Sequence, residues 1–168
     1  MTKEDRVGDA MLKYLHNRSD IEIISFHPTS GKAYQTDTIR FKVQRNGTAT
    51  STRYHVDMIL VVGDLLLLIE FKGTSAESTN DVTKLRDLRE TYSLQEFIRI
   101  ISRRLSLSNS SIGQVTELVL AIGVEDHNAH VPDDVAVFVA LDEHVTLECS
   151  PSLRSRLSPY FGDIMPAF

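Results

Sequence analysis

Two strongly apolar segments separated by only two residues constrain the fold of this chain more than any other feature. Residues 54–62 and 65–72 are both strand-like, and only Gly63 and Asp64 lie between them, as in a two-residue hairpin turn. Both segments are apolar on both faces, which is typical of strands inside a sheet that is covered on each side. The sequence therefore predicts an antiparallel hairpin at the centre of a sheet.

The remaining segments predict helices on both sides of that sheet. Apolar side chains at helical spacing predict one helix over residues 3–16 and one or two helices over residues 81–106, where Ser93 with Glu96 forms a capping-box signature. Further strands are predicted at residues 21–26, 38–45, 117–124 and 135–141, a polar loop at 73–80, and a short helix after residue 151. This order predicts a mixed α/β sandwich in a single domain, residues 1–168, with a core of about 3–124 and a C-terminal strand and tail over 125–168.

Charge and composition exclude several classes of protein. The formal net charge is -5, from 18 Lys and Arg against 23 Asp and Glu, which is not the balance of a protein that coats nucleic acid. Cys149 is the single cysteine, so an intrachain disulfide is excluded and an intracellular, cytoplasmic setting is expected. The longest apolar run, residues 65–69, is far shorter than the ~20 residues that span a bilayer, so no membrane partner is expected.

The hairpin register brings charged residues together at the end remote from the turn. With Val62 opposite Leu65, Asp57 is expected opposite Glu70, and His55 opposite Lys72. Because side chains alternate along a strand, two carboxylates and one amine, those of Asp57, Glu70 and Lys72, are expected on one face.

Two carboxylates side by side in apolar surroundings are costly unless a cation neutralises them. Divalent ions such as Mg²⁺ take carboxylate oxygens as ligands, and a bound ion acidifies water and neutralises phosphate charge. The alternative is an edge strand with Glu70 and Lys72 in solvent, but the apolar run before Glu70 argues against an edge. The pattern favours a metal-dependent hydrolytic site.

The spacing from Asp57 to Glu70-Phe71-Lys72 resembles the D…ExK signature of the PD-(D/E)XK, or restriction-endonuclease-like, nuclease superfamily. The predicted αβββαβ order over about residues 3–124 fits the same family. The resemblance implies a nuclease that hydrolyses phosphodiester bonds of DNA or RNA with Mg²⁺ or Mn²⁺. It implies that Asp57, Glu70 and the backbone carbonyl of Phe71 bind the metal and that Lys72 assists the nucleophilic water. Val56 stands where the family name has proline.

Many members of that superfamily contribute a further acid from the first helix, and Glu4 is the candidate here. On a helical wheel Glu4 falls on the apolar stripe near Val7 and Met11, whereas Asp9 points away from it. The alternative is a solvated Glu4 that only interacts with the positive end of the helix dipole.

A narrower resemblance concerns the segments 3–8 and 72–105, which are similar to the cap-snatching endonuclease domains of segmented negative-strand RNA virus polymerases. Archaeal Holliday-junction resolvases and nuclease-related domains share the helix-one glutamate and the distance from Asp57 to Glu70. A chain that begins at Met1 favours a free-standing nuclease over a polymerase fragment. A catalytically silent nuclease fold that binds nucleic acid or protein is the alternative from a different functional class.

Arg99 and Arg103 are the predicted contacts to nucleic acid, because they lie four residues apart on one face of a predicted helix. The alternative is a solvated face on which these side chains pair with neighbouring acids such as Glu96. Many restriction-type relatives dimerise to cut both strands, so a homodimer is the alternative to a monomer.

Overall fold

The structure, a computed structural model, describes residues 2–16, 18–26, 39–44, 51–105, 111–141, 144–162 and 164–166. The helices are α1 (Lys3–His16), α2 (Thr79–Thr91), α3 (Leu94–Leu105) and α4 (Pro151–Phe161). The strands are β1 (Ile21–Phe26), β2 (Arg40–Gln44), β3 (Ser51–His55), β4 (Met58–Val62), β5 (Leu65–Phe71), β6 (Glu117–Val124), β7 (Val135–Leu141), β8 (His144–Glu148) and β9 (Ile164–Pro166). The fold is α/β, with a mixed central sheet flanked by helices, as predicted.

The main sheet has seven strands among the described residues, in the order β1-β4-β5-β6-β7-β8-β9. Strands β5, β6 and β7 are parallel to one another, and the other neighbours in the sheet are antiparallel. Within the part of the chain that the structure describes, strands β2 and β3 pair only with each other and form a separate antiparallel ribbon. The hairpin β4–β5 therefore has neighbours on both sides, β1 and β6.

The predicted hairpin is confirmed, with paired residues from Val62↔Leu65 to Met58↔Ile69. Gly63 has φ +57°, the left-handed conformation that a two-residue turn requires and that glycine adopts without strain. The Tyr160 side chain of α4 packs against this turn, so any side chain at position 63 would also collide with it. All residues of β4 and β5 are buried.

The predicted single strand over residues 54–62 is wrong, because the chain changes sheets inside it. Strand β3 ends at His55, which faces Arg40 of β2 instead of Lys72, and β4 begins only at Met58. The side chain of Val56 is buried in the apolar core next to α2 and α3, and this burial turns the chain from the ribbon into the main sheet. Asp57 consequently lies at a bend between two strands.

The core has two layers, one on each side of the sheet. The first layer lies against α1 and α4 and contains Met11 and Leu157; the second lies against α2 and α3 and contains Leu85 and Phe97. Side chains of β5 alternate between the two layers, with Leu66 and Leu68 in the second. Glu70 continues that alternation, so its carboxyl group faces α2.

Most predicted element positions are confirmed. Helix α1 and strands β1, β6 and β7 have the predicted bounds, and the capping box at α3 forms through Glu96 N to Ser93 Oγ and Ser93 N to Glu96 Oε1, both 3.2 Å. The predicted strand over residues 38–45 is β2, and positions 38 and 45 lie outside the described residues. The loop predicted over residues 73–80 is wrong, because Ser75–Ser78 forms a 3-10 turn, capped by the Thr74 hydroxyl, that leads directly into α2.

A cluster of ion pairs connects α2 to the segment before β7. Arg86 Nη2 lies 2.5 Å from Asp134 Oδ1, and Arg89 Nη2 lies 2.7 Å from Asp134 Oδ2. The hydrogen bond from Arg86, supported by Arg89, lowers the pKa of Asp134 to about 2. Because this pKa lies below that of the unfolded chain, the cluster stabilises the fold above about pH 4 and loses this contribution as the pH falls toward 2.

Replacing Asp134 by Asn is therefore expected to lower the free energy of unfolding at neutral pH by about 1 kcal/mol, a modest value because the carboxylate is partly exposed to solvent. The difference from the native protein should narrow once the pH falls below about 4. Urea unfolding at a series of pH values measures this difference in the free energy of unfolding. Asp133→Asn, at an exposed neighbouring position, is the matched control. If the variant lost the same free energy of unfolding in acid as at neutral pH, an electrostatic origin of the loss would be contradicted.

Candidate functional site

Two hydrogen bonds join Asp57 to the end of β5, one to Glu70 and one to Phe71, at the open end of the central hairpin. The Asp57 backbone N–H donates to Glu70 Oε2 at 3.2 Å, and the Phe71 N–H donates to Asp57 Oδ2 at 2.9 Å. Asp57 is 2% exposed and Glu70 is 1% exposed. The two acids therefore lie together as predicted, although Asp57 precedes β4 instead of belonging to it.

The other oxygens of this region lack hydrogen-bond partners. Among the described residues, the buried side-chain atoms without a partner are Ser25 Oγ, Asp57 Oδ1, Glu70 Oε1 and Asp81 Oδ2. All but the first are carboxylate oxygens, and they come from β5, from the bend before β4 and from the first turn of α2. Buried carboxylate oxygens are costly unless positive charge or a donor is supplied, so this place in the fold requires cations.

Lys72 supplies one of these cations and connects α1 to α2. Its Nζ lies 3.5 Å from Glu4 Oε1 and 3.7 Å from Asp81 Oδ2. Burial lowers the pKa of Lys72, but the charges of Asp81 and Glu4 outweigh burial and raise it above its ordinary value. Lys72 is therefore an ammonium ion at neutral pH, and Glu4 faces the site. Glu4, Asp57, Glu70 and Asp81 are called the acidic cluster below.

Lys84 supplies the second cation, from the next turn of α2. Its ammonium group forms an ion pair with Glu70 Oε1 and lies 5.9 Å from the centre of the Tyr54 ring. Burial lowers the pKa of Lys84, and the negative charge of Asp57 opposes this effect. In the structure, Lys84 thus neutralises the acid that the resemblance assigns to a metal.

The acids of the cluster interact electrostatically with one another. Burial raises the pKa of Asp57, while the Phe71 N–H and the charge of Lys84 lower it. Burial also raises the pKa of Asp81; Lys72 opposes this shift, and the charge of Asp57 adds to it. These mutual effects show that the cluster is one electrostatic site, in which each additional negative charge makes the others harder to ionise.

The remaining predicted residues lie at different distances from this site. The Phe71 side chain is buried on the opposite side of the sheet, so only its backbone belongs to the site, and its carbonyl stays a predicted ligand. His55 does not face Lys72, but its Nε2 lies 3.9 Å from Asp57 Oδ1. Arg99 and Arg103 are exposed on α3, and within the described chain neither forms an ion pair with the acidic cluster.

Sequence reasoning did not assign Asp81 or Lys84 to this site. Each residue directly precedes a buried apolar residue of α2, Val82 and Leu85 respectively. Charged residues that border an apolar helical stripe at a spacing of three share one side of the helix. Such a pair in the first helix after Lys72 is the signal that could have identified both.

The donor chemistry of the acidic cluster fits a hard divalent cation. Over the described residues no group of three His, Cys, Asp or Glu side chains is arranged as an assembled metal site. The atoms of the acidic cluster that lack hydrogen-bond partners are nevertheless carboxylate oxygens, which Mg²⁺ and Mn²⁺ prefer as ligands.

Comparisons of the chain with protein-family models, with curated proteins and with solved structures give no match. In the described part of the chain, no helix combines the length and the apolar character needed to cross a membrane. The chemistry of the site therefore has to be inferred from its own residues.

Proposed function

We propose that this protein is a divalent-metal-dependent nuclease of the restriction-endonuclease-like fold that hydrolyses phosphodiester bonds of DNA or RNA. The observation that carries the proposal is the set of buried carboxylate oxygens on Asp57, Glu70 and Asp81 that lack hydrogen-bond partners, next to the ammonium groups of Lys72 and Lys84. The element order also supports it: without the β2–β3 ribbon, the chain runs α1, three antiparallel strands, two helices and the parallel strand β6, which is αβββαβ with one additional helix before the last strand.

In this proposal, Asp57 and Glu70 hold Mg²⁺ or Mn²⁺, with the Phe71 carbonyl as a further ligand and Asp81 and Glu4 beside them. When bound, such an ion lowers the pKa of water and neutralises negative charge on the scissile phosphate. The two hydrogen bonds between Asp57 and the end of β5 use one oxygen of Asp57 and one of Glu70. The other oxygen of each carboxylate accepts no hydrogen bond, but Glu70 Oε1 is ion-paired with Lys84, which an incoming metal ion would have to displace.

Lys72 acts as a hydrogen-bond donor in this proposal. Its raised pKa keeps the amine protonated, so it cannot accept a proton from water at neutral pH. An ammonium group held between Glu4 and Asp81 can orient the attacking water or stabilise the charge that develops on the phosphate. Glu4 and Asp81 thereby act as positioning residues for Lys72.

Incubation of the protein with labelled single-stranded RNA, single-stranded DNA, duplex DNA and branched DNA tests the proposal. Cleavage is expected with Mg²⁺ or Mn²⁺ and not with EDTA, and Mn²⁺ should raise the melting temperature because it binds the folded state. Cleavage confined to single-stranded RNA would favour the cap-snatching type of endonuclease. No cleavage and no melting shift would contradict the proposal and favour a silent binding module, in which Lys84 takes the place of the metal permanently.

A further inference from the structure

The β2–β3 ribbon presents a face that carries three cationic side chains and one histidine in its two rows nearest the acidic cluster. The inner residues Phe41 and Val43 are buried, so the alternating residues of the same strand, Arg40 and Lys42, point outward. Lys42 pairs with Arg53 on the neighbouring strand, and Arg40 pairs with His55. The outer face formed by these side chains is called the basic face below: Arg40, Lys42, Arg53 and His55.

The pairing on the basic face is unfavourable for folding. Directly opposed residues have Cβ atoms about 4.5–5.5 Å apart, and like charges at such positions destabilise a sheet. Among the described residues, no carboxylate forms an ion pair with Arg40, Lys42 or Arg53. This concentration of positive charge, in a chain whose formal net charge is -5, requires a reason other than stability.

The ribbon is fixed to the helical layer, so its cationic groups are held in place. The ring of Phe41 lies 6.0 Å from that of Tyr92 and 5.3 Å from that of Phe97, measured between centroids. The Tyr92 hydroxyl also donates a hydrogen bond to the Lys42 carbonyl. The ribbon is therefore packed on α2 and α3, and the basic face lies on its outer side.

The basic face leads directly to the acidic cluster. Its first row contains His55, whose ring contacts Asp57, and its second row, Lys42 with Arg53, lies two residues further along the strands, or about 7 Å away. A cluster of carboxylates repels a polyanion, so a substrate with many phosphates needs positive charge beside the site to approach it.

We propose that the basic face binds the phosphodiester backbone of a nucleic acid and guides it toward Asp57. This inference rests on the proposed nuclease function, because the adjacency of the face to a hydrolytic site favours nucleic acid over an acidic protein. Contacts from Lys and Arg to phosphates position a strand without reading its sequence. This contact is separate from the one predicted at Arg99 and Arg103, which stays a prediction.

Fluorescence anisotropy in EDTA, with labelled DNA and RNA oligonucleotides, tests the inference separately from cleavage. The double variant Lys42→Glu/Arg53→Glu is expected to bind at least about tenfold more weakly and to lose about two units of salt slope, one for each phosphate contact. Lys13→Glu, on an exposed position of α1, is the control for a single reversal and should bind like the native protein.

The single variant Lys42→Glu separates binding from folding. It replaces a like-charge pair with an opposite-charge pair, so the melting temperature should hold or rise while affinity falls. Unchanged affinity in the double variant would overturn the inference, as would tighter binding of poly-glutamate than of oligonucleotides at the same face. If the protein cleaves nucleic acid but these substitutions leave its affinity unchanged, only the role of the basic face is refuted. If the protein binds nucleic acid through the basic face but does not cleave it, only the proposed nuclease function is refuted.

Discussion

Replacement of Asp57 by Asn is expected to abolish cleavage while the fold survives. Asn keeps an oxygen that can accept the Phe71 N–H but removes the charge that a divalent ion requires. Loss of a single charge-stabilising group at an active site costs about 10²–10³ in rate, and Asp57 would also hold the metal, so we expect a loss of more than about 10³-fold. Initial cleavage rates in Mg²⁺ and Mn²⁺ measure it.

The melting temperature distinguishes this role from a structural one. In EDTA the Asp57→Asn variant should melt at or above the native temperature, since a buried negative charge beside other acids has been removed. The stabilisation by Mn²⁺ should disappear in the same variant. Asp9→Asn, on an exposed position of α1, is the matched control and should behave like the native protein in both assays. Full activity of Asp57→Asn would refute the assignment of the site.

Replacement of Lys84 by Met is expected to destabilise the metal-free protein by about 3 kcal/mol. Removing one partner of a buried ion pair costs about 3–5 kcal/mol, and the lower end applies because the Lys84 side chain keeps 19% of its surface exposed. The variant leaves the carboxylate of Glu70 buried beside Asp57 with its main neutralising charge removed. Urea unfolding in EDTA measures the loss, and the exposed substitution Lys13→Met should change stability by less than about 0.5 kcal/mol.

Manganese should rescue the Lys84→Met variant more strongly than it stabilises the native protein. In the native protein an incoming ion competes with the ammonium group for Glu70, whereas in the variant it does not. A ligand at about 100 times its dissociation constant adds about 2.7 kcal/mol, so most of the loss should be recovered. Glu70→Gln should also restore stability when combined with Lys84→Met. Equal stabilisation of both proteins by Mn²⁺ would show that Lys84 and the metal do not share a site.

The centre of the fold could be predicted because its register follows from one turn. Once Gly63 and Asp64 define the hairpin, the alternation of side chains places Glu70 on a known face and Asp57 beside it. That prediction survived the change of sheet at Val56, since the Asp57 backbone N–H bonds to the Glu70 side chain where a regular strand pair would have formed. Side-chain periodicity was sufficient to predict contacts between residues of the same hairpin.

Features that depend on distant packing could not be predicted in the same way. The break after His55 arises because Val56 is buried near α2 and α3, and no pattern within residues 54–62 indicates that the chain changes sheets there. The roles of Asp81 and Lys84 depend on how α2 lies over the sheet, and the basic face depends on the pairing of β2 with β3. Side-chain periodicity identifies which face of an element is apolar, but it does not identify the element that covers it.

The two hydrogen bonds at the open end of the hairpin also determine how an ion can be captured. Immobilising a flexible side chain on binding costs about 0.5–1.5 kcal/mol, but Asp57 and Glu70 have already lost their rotamer freedom when the chain folds. Binding of an ion would then require mainly that the Lys84 side chain moves away from Glu70. The ion would replace the Lys84 ammonium group in a site whose acids are already fixed, so its binding should leave the positions of the surrounding strands unchanged.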